Sequence, residues 1–273
     1  MKQMKTGRLT QTGLALLLGC GLALVRASAS ISVLLAAAAA AVVLLAGSVL
    51  LWPGKKAGAW TAQPDRLCFA LLALSGFLFL IAAGCFAVDE NAFVLHGVAS
   101  SLRRWVVLLF ALFCGVCTLL RLAGRDQGRK SAACSLVPVF CMACCLLIFY
   151  RSNGDNPYLA DFGVDIVVLA LTLLGVYLAA STRFEEQRRW VAEGGLLLSL
   201  TGIVQELLFA LLYWDRLREI PGLSIGLLML MAACGVLVLC GLFCTPEKLP
   251  PLPAEDEEDG DGEEAPSVEA SDN

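Results

Sequence analysis

The sequence is poor in charged residues. Only 16% of its 273 residues are Asp, Glu, Lys or Arg, whereas 58% are hydrophobic. Soluble domains have about a quarter charged residues, and disordered chains and nucleic-acid-binding domains have more charge still. Histidine is nearly absent too, since His96 is the only one, which argues against a histidine-based metal site. This composition excludes nucleic acid as a partner and favours the lipid bilayer.

Strand-like alternation of apolar and polar residues is also absent, which excludes a membrane β-barrel. The apolar residues instead form blocks, and a helix that crosses a hydrocarbon core of about 30 Å needs roughly 20 of them. All five tryptophans lie at block edges, where the lipid headgroups favour amphipathic rings. We predict an all-α fold, a polytopic transmembrane helical bundle of about eight spans in residues 1–244, at 9–25, 31–52, 67–88, 103–122, 131–150, 158–182, 190–214 and 223–244.

The basic residues predict the orientation of this bundle. With eight spans, 14 of the 20 Lys and Arg residues fall on the side of the two termini and six on the opposite side. Cytoplasmic loops of membrane proteins are the richer in Lys and Arg. We therefore predict that both termini are cytoplasmic.

The first apolar segment has two interpretations. It resembles a signal peptide with a small-residue cleavage site, because basic residues precede the apolar run 13–25 and Ala27-Ser28-Ala29 follows it. The alternative is a first span that turns back immediately into the second. Arg26 next to the cleavage site and the short link that follows favour the span.

The carboxyl-terminal residues 245–273 differ from the rest of the chain. A proline-rich stretch at 249–253 leads into a segment rich in Glu and Asp, and the 29 residues hold eleven acidic residues and one lysine. Such a composition cannot bury apolar surface, so we predict a disordered cytoplasmic tail. It is either a solvated charge run or a docking segment for a basic cytoplasmic partner.

Ionisable residues inside the apolar blocks are the strongest functional signal. Glu206 lies within block 190–214 with Gln205 beside it, while Asp161 and Asp165 share one face of the preceding block. Both Asp165 and Glu206 fall in the outer half of the membrane, with Arg151 placed to cap them from the fifth span. Charges at this depth usually line a cavity or pair with each other. We predict an outer-facing acidic pocket for a proton or a small cationic solute.

The rival interpretation gives the same acids a structural role, in which interhelical hydrogen bonds hold a non-catalytic, partner-binding membrane subunit together. An enzyme is not expected, because the sequence has no nucleophile–base pair, nucleotide loop or dinucleotide fingerprint in a suitable context. No cofactor or metal is expected either. The twelve cysteines all lie in apolar blocks or at their edges, which is typical of small packing residues.

A short region resembles a known pattern. The run Tyr150 to Pro157, followed by Asp161, Asp165 and Tyr177, is similar to sequences in uncharacterised polytopic membrane proteins of Gram-positive anaerobic bacteria. The resemblance covers roughly a tenth of the chain. It implies a multi-pass protein of a bacterial plasma membrane and no particular activity.

Overall fold

The computed structural model describes residues 2–51, 66–88, 100–122, 129–153, 159–181, 189–214 and 223–243, and within these it leaves out some side chains near helix ends, Asp161 included. The predicted tail, 245–273, lies outside the described residues, so its disorder and its docking role stay predictions. The helices are α1 (Lys2–Ser28), α2 (Ile31–Leu51), α3 (Arg66–Val88), α4 (Ser100–Leu122), α5 (Arg129–Asn153), α6 (Leu159–Ser181), α7 (Arg189–Leu212) and α8 (Ile225–Phe243).

These eight helices confirm the predicted fold class. Each is long and apolar enough to cross a membrane, so the protein is a multi-pass integral membrane protein. Most helix ends lie close to the edges of the apolar blocks. The exception is α1, which begins at Lys2 rather than at Leu9, because its polar first turns continue the helix beyond the hydrophobic stretch.

Helix α8 lies at the centre of the bundle. It packs against α3, α6 and α7, and 67% of its apolar stretch is buried inside the protein. Its sequence is apolar on every face, which is typical of a helix that is surrounded by other helices. The remaining helices follow one another around it, with α3 against α4, α4 against α5, α5 against α6 and α6 against α7.

Helices α1 and α2 form a peripheral hairpin. Only Ala29 and Ser30 separate them, as the short link in the sequence predicts. The Gln11 side chain donates a hydrogen bond to the Ser48 carbonyl oxygen at 3.2 Å and ties the two helices together near the opposite end. Both pack on α7, but only 28% and 22% of their apolar stretches are buried. The hairpin therefore adds to the side of a bundle whose centre lies elsewhere.

Four cysteine thiols meet in the main apolar core. Cys114 of α4, Cys141 and Cys145 of α5 and Cys234 of α8 are almost wholly buried there, and Cys141 forms hydrogen bonds with Cys114 and Cys145. Within the part of the chain that the structure describes, no group of three or more His, Cys, Asp or Glu side chains is arranged to hold a metal ion.

Candidate functional site

One arginine lies between two buried carboxylates from two other helices. Arg26 of α1 donates a hydrogen bond from Nη2 to Asp165 Oδ1 of α6 at 2.6 Å, and another from Nη1 to Glu206 Oε2 of α7 at 2.7 Å. Both contacts are charge-assisted and are as short as such bonds become. These three residues, which we call the triad, join three helices at one point.

The triad is almost entirely enclosed. The exposed fraction of the side chain is 8% for Arg26 and 1% each for Asp165 and Glu206. The second oxygens of the two carboxyl groups, Asp165 Oδ2 and Glu206 Oε1, are buried and have no hydrogen-bond partner among the described residues. With all three groups ionised the triad has a net charge of −1, which is costly to bury in a membrane.

An aromatic stack covers one side of the guanidinium group. Its carbon atom lies 4.2 Å from the ring centroid of Phe209, one turn after Glu206 on α7. The Phe209 ring stacks in turn on Tyr213, with the ring centroids 5.4 Å apart. A cation on an aromatic face is stabilised by the ring quadrupole, by about 2 kcal/mol where water is excluded. Phe209 therefore helps to fix the position of Arg26.

The positions of these side chains follow from helix direction. Helices α6 and α7 are consecutive and antiparallel, so residues soon after the start of α6 lie level with residues near the end of α7. Counted along the helix axis, Asp165 lies about 9 Å from the first residue of α6, and Glu206 lies about 9 Å from the last residue of α7. Arg26 lies close to the last residue of α1, which runs parallel to α7.

The other residues of the predicted site are placed differently. Gln205 is buried, and its side-chain nitrogen has no hydrogen-bond partner among the described residues. The partners of Arg26 are Asp165 and Glu206 instead. Arg151 does not cap the acids, because its side chain is exposed at the end of α5 and Arg26 occupies that role. The side chain of Asp161 lies outside the described residues. Both carboxylates are enclosed by the described residues, and the outer-facing pocket stays a prediction.

Arg26 is the residue of the triad that sequence reasoning missed. The sequence places it at the edge of an apolar block, where it looks like the residue that ends a span or precedes a cleavage site. One feature of the sequence did indicate it. Arg26 falls on the same side of the membrane as Asp165 and Glu206, two acids without an obvious partner, and membrane-buried charges usually pair. Its partners lie 139 and 180 residues away along the chain, and nothing local indicates them.

A second arginine ties α1 to α7 at the opposite end of the bundle. Arg8 lies 3.0 Å from Glu193 Oε1 and also donates a hydrogen bond to the Leu242 carbonyl oxygen of α8 at 3.0 Å. These side chains are more exposed than the triad, at 21% for Arg8 and 15% for Glu193. Helices α1 and α7 thus share an arginine–glutamate pair near each end.

Comparisons with known proteins do not add to this picture. The chain matches no protein-family model, no curated protein and no solved structure. The chemistry of the triad is therefore interpreted from its own geometry: it can hold a proton or another small cation between two carboxyl groups, or it can serve as a tie between three helices.

Proposed function

We propose that this integral membrane protein binds an exchangeable proton at the triad and thereby senses or moves protons across the membrane. The observation that supports the proposal is that two buried carboxyl oxygens, Asp165 Oδ2 and Glu206 Oε1, have no hydrogen-bond partner among the described residues. One proton on either oxygen brings the charge of the triad from −1 to zero. It also turns an acceptor without a partner into a hydrogen-bond donor.

A proton fits this site better than a metal cation does. Calcium takes about six to eight oxygen ligands and magnesium about six, whereas each carboxyl group here has one oxygen left after pairing with Arg26. The backbone of α6 around Asp165 and of α7 around Glu206 is helical, so its carbonyl oxygens are already used within those helices. A small cationic solute remains within the proposal if it displaces Arg26 from the same two carboxylates.

Infrared difference spectroscopy tests proton binding directly. The full chain is reconstituted in lipid nanodiscs, and spectra are recorded as the pH is changed. A protonated carboxyl group gives a C=O band that is separate from the carboxylate bands and shifts in heavy water. We expect one such band whose intensity follows pH, and we expect Asp165→Asn and Glu206→Gln each to alter or remove it.

Glu193→Gln is the matched control, because Glu193 is also a glutamate of α7 paired with an arginine of α1. The band should be unchanged in this variant. A proteoliposome assay with an internal pH dye then separates transport from sensing, since only transport gives a proton flux that the triad variants abolish. If the spectra show no carboxyl band that changes with pH and can be assigned to Asp165 or Glu206, the proposal is wrong.

The second candidate function is a structural or partner-binding membrane subunit. The enclosure of all three side chains favours it, since a buried ion pair between helices can serve packing alone. In that case the protonation state of both carboxyl groups stays the same over the whole pH range in which the protein is folded. The same spectra decide between the two functions, because the structural role gives no carboxyl band whose intensity follows pH.

A further inference from the structure

The α1–α2 hairpin lies at the edge of the described bundle, and its main contact there is with α7. Its two helices are the least buried of the eight, and both pack on α7. They behave as one unit because the link between them is two residues long and Gln11 binds Ser48 across them. The strongest polar ties to the bundle are Arg26 at one end and Arg8 at the other.

The contact between α1 and α7 is very close at Gly19. A Cβ atom added at Gly19 would lie 2.8 Å from the Thr201 carbonyl oxygen, so the two backbones approach directly there. The Thr201 hydroxyl lies within hydrogen-bond distance of two carbonyl oxygens, that of Leu197 in its own helix at 2.9 Å and that of Ala15 in α1 at 3.3 Å, which share its one hydrogen. Nearer Arg26, the α1 side chains in the apolar contact are Ala23 and Ala27, which belong to the same cluster as Phe209. Small side chains bury little area, so the end of α1 near Arg26 depends strongly on its charged contacts.

Charge at the triad decides whether that end of α1 is attracted to the bundle. While at least one carboxylate is ionised, Arg26 has an anionic partner inside the protein. When both carboxyl groups are neutral, Arg26 is left as an uncompensated buried cation, which is costly at membrane depth. Because Arg26 is near the last residue of α1, its long side chain can reach the headgroup region instead.

We propose that the α1–α2 hairpin is the mobile element of this protein, docked on α7 through Arg26 while the triad holds a carboxylate and released at that end when both carboxyl groups are neutral. This inference rests on the proposed function and adds a second proton at the same site. The first proton neutralises the net charge of the triad and leaves Arg26 one carboxylate; the second removes that carboxylate and so changes the shape of the protein. The two ends of the hairpin respond differently. Arg8 keeps its partner Glu193, so the hairpin pivots rather than separates.

Few ionisable groups of the described residues face Arg26, which makes the response specific. Asp165 faces it from α6 and Glu206 from α7, with Tyr213 behind Phe209. Helix α2 contains no ionisable residue, and α8 contains only cysteine thiols. Among the described residues, the two carboxyl groups of the triad are thus the groups that set the charge seen by Arg26.

Hydrogen–deuterium exchange of the full chain in nanodiscs, at one fixed pH, tests the proposal. The double variant Asp165→Asn with Glu206→Gln mimics the state in which both carboxyl groups are neutral. We expect amide exchange in residues 20–40, around the tip of the hairpin, to rise about tenfold over the unmodified chain, while exchange in α8 stays the same. Glu193→Gln, the matched control, should leave exchange at the tip unchanged.

A third variant separates charge from lost hydrogen bonds. Adding Arg26→Leu to the double variant removes the unpaired cation, so the hairpin should dock again and exchange at the tip should return toward that of the unmodified chain. If the double variant exchanges like the unmodified chain, or if the triple variant stays as exposed as the double, the proposal is wrong. Should the double variant not be recovered folded, the unmodified chain is compared at low and neutral pH after correction for intrinsic exchange rates, with the same expected rise at the tip.

The exchange experiment and the infrared experiment can contradict their two proposals separately. A titrating carboxyl band together with unchanged exchange at the hairpin tip keeps the proton site and overturns the moving hairpin. Absence of the titrating band overturns the proposed function, whatever the exchange of the double variant shows.

Discussion

Arg26 and Glu206 are 180 residues apart in the sequence and 2.7 Å apart in the structure, where Nη1 of the arginine donates to Oε2 of the glutamate. The arginine belongs to the first helix and the glutamate to the seventh, which run parallel to each other. The same guanidinium group binds Asp165 of α6. This one cation therefore makes the first helix part of a site that two later helices otherwise build.

Removal of Arg26 should destabilise the protein strongly. Arg26→Leu leaves Asp165 and Glu206 as two enclosed carboxyl groups without a cation, and breaking a buried pair from one side costs about 3–5 kcal/mol. We expect a large fall in the thermal unfolding temperature in detergent and a low yield of monodisperse protein. Adding Asp165→Asn and Glu206→Gln should recover much of the loss, because the site is then neutral.

Arg8→Leu provides the comparison for this prediction. Arg8 is also an α1 arginine paired with a glutamate of α7, but both side chains are more exposed than those of the triad. Partly exposed pairs contribute no more than about 1 kcal/mol. Burial of charge would not be the cause of the destabilisation by Arg26→Leu if Arg8→Leu lowered stability as much. The same would follow if Asp165→Asn with Glu206→Gln failed to restore the stability of the Arg26→Leu variant.

Close contact between α1 and α7 should depend on Gly19. In Gly19→Ala the new Cβ would lie 2.8 Å from the Thr201 carbonyl oxygen and 2.9 Å from Val204 Cβ, so the helices have to separate. We expect a lower unfolding temperature. Gly21→Ala is the matched control, since nothing lies within 4 Å of its added Cβ, and a helix gains up to about 1 kcal/mol from glycine to alanine. Equal effects of the two substitutions would contradict the close contact.

The eight helices were predictable because the information that specifies them is local. A hydrocarbon core requires a run of apolar residues, and each run can be seen within its own segment. The similar depth of Asp165 and Glu206 in the membrane was also predictable, because consecutive helices are antiparallel neighbours. Membrane thickness and chain direction together fix their depth without any knowledge of the packing.

The cation of the site was not predictable in the same way. Arg151 is close to α6 along the chain, and this sequence proximity favoured it over Arg26. In the structure Arg151 is exposed at the end of α5, whereas α1 packs on α7 and brings Arg26 to the acids. Which distant helices become neighbours depends on the fit of their surfaces. Gly19 meets another backbone while Gly47 meets nothing within 4 Å, although both are glycines in apolar helices.

The thiols of the central core should act as packing groups. Cys234 of α8 is fully buried among the other core residues. Cys234→Ala removes one heavy atom from a packed interior, which should cost about 1 kcal/mol. Cys20→Ala at the half-buried face of α1 should cost less. Unfolding temperatures of the two variants measure the difference, and an unchanged value for Cys234→Ala would show that its sulfur atom does not contribute to packing.

We expect α1 to remain attached in the folded protein rather than to be cleaved after Ala29. Cleavage there would take Arg26 away and leave Asp165 and Glu206 enclosed without their cation, and it would also uncover the face of α7 that contacts Gly19. Intact mass spectrometry of protein extracted from membranes should therefore give the mass of a chain that includes α1. A truncated chain that starts at Ser30 should fold poorly, and Asp165→Asn with Glu206→Gln should improve its recovery, because the neutral site no longer needs a cation. A mature protein whose mass corresponds to cleavage after Ala29 would contradict this, since the two carboxyl groups would then be compensated in some way other than by Arg26.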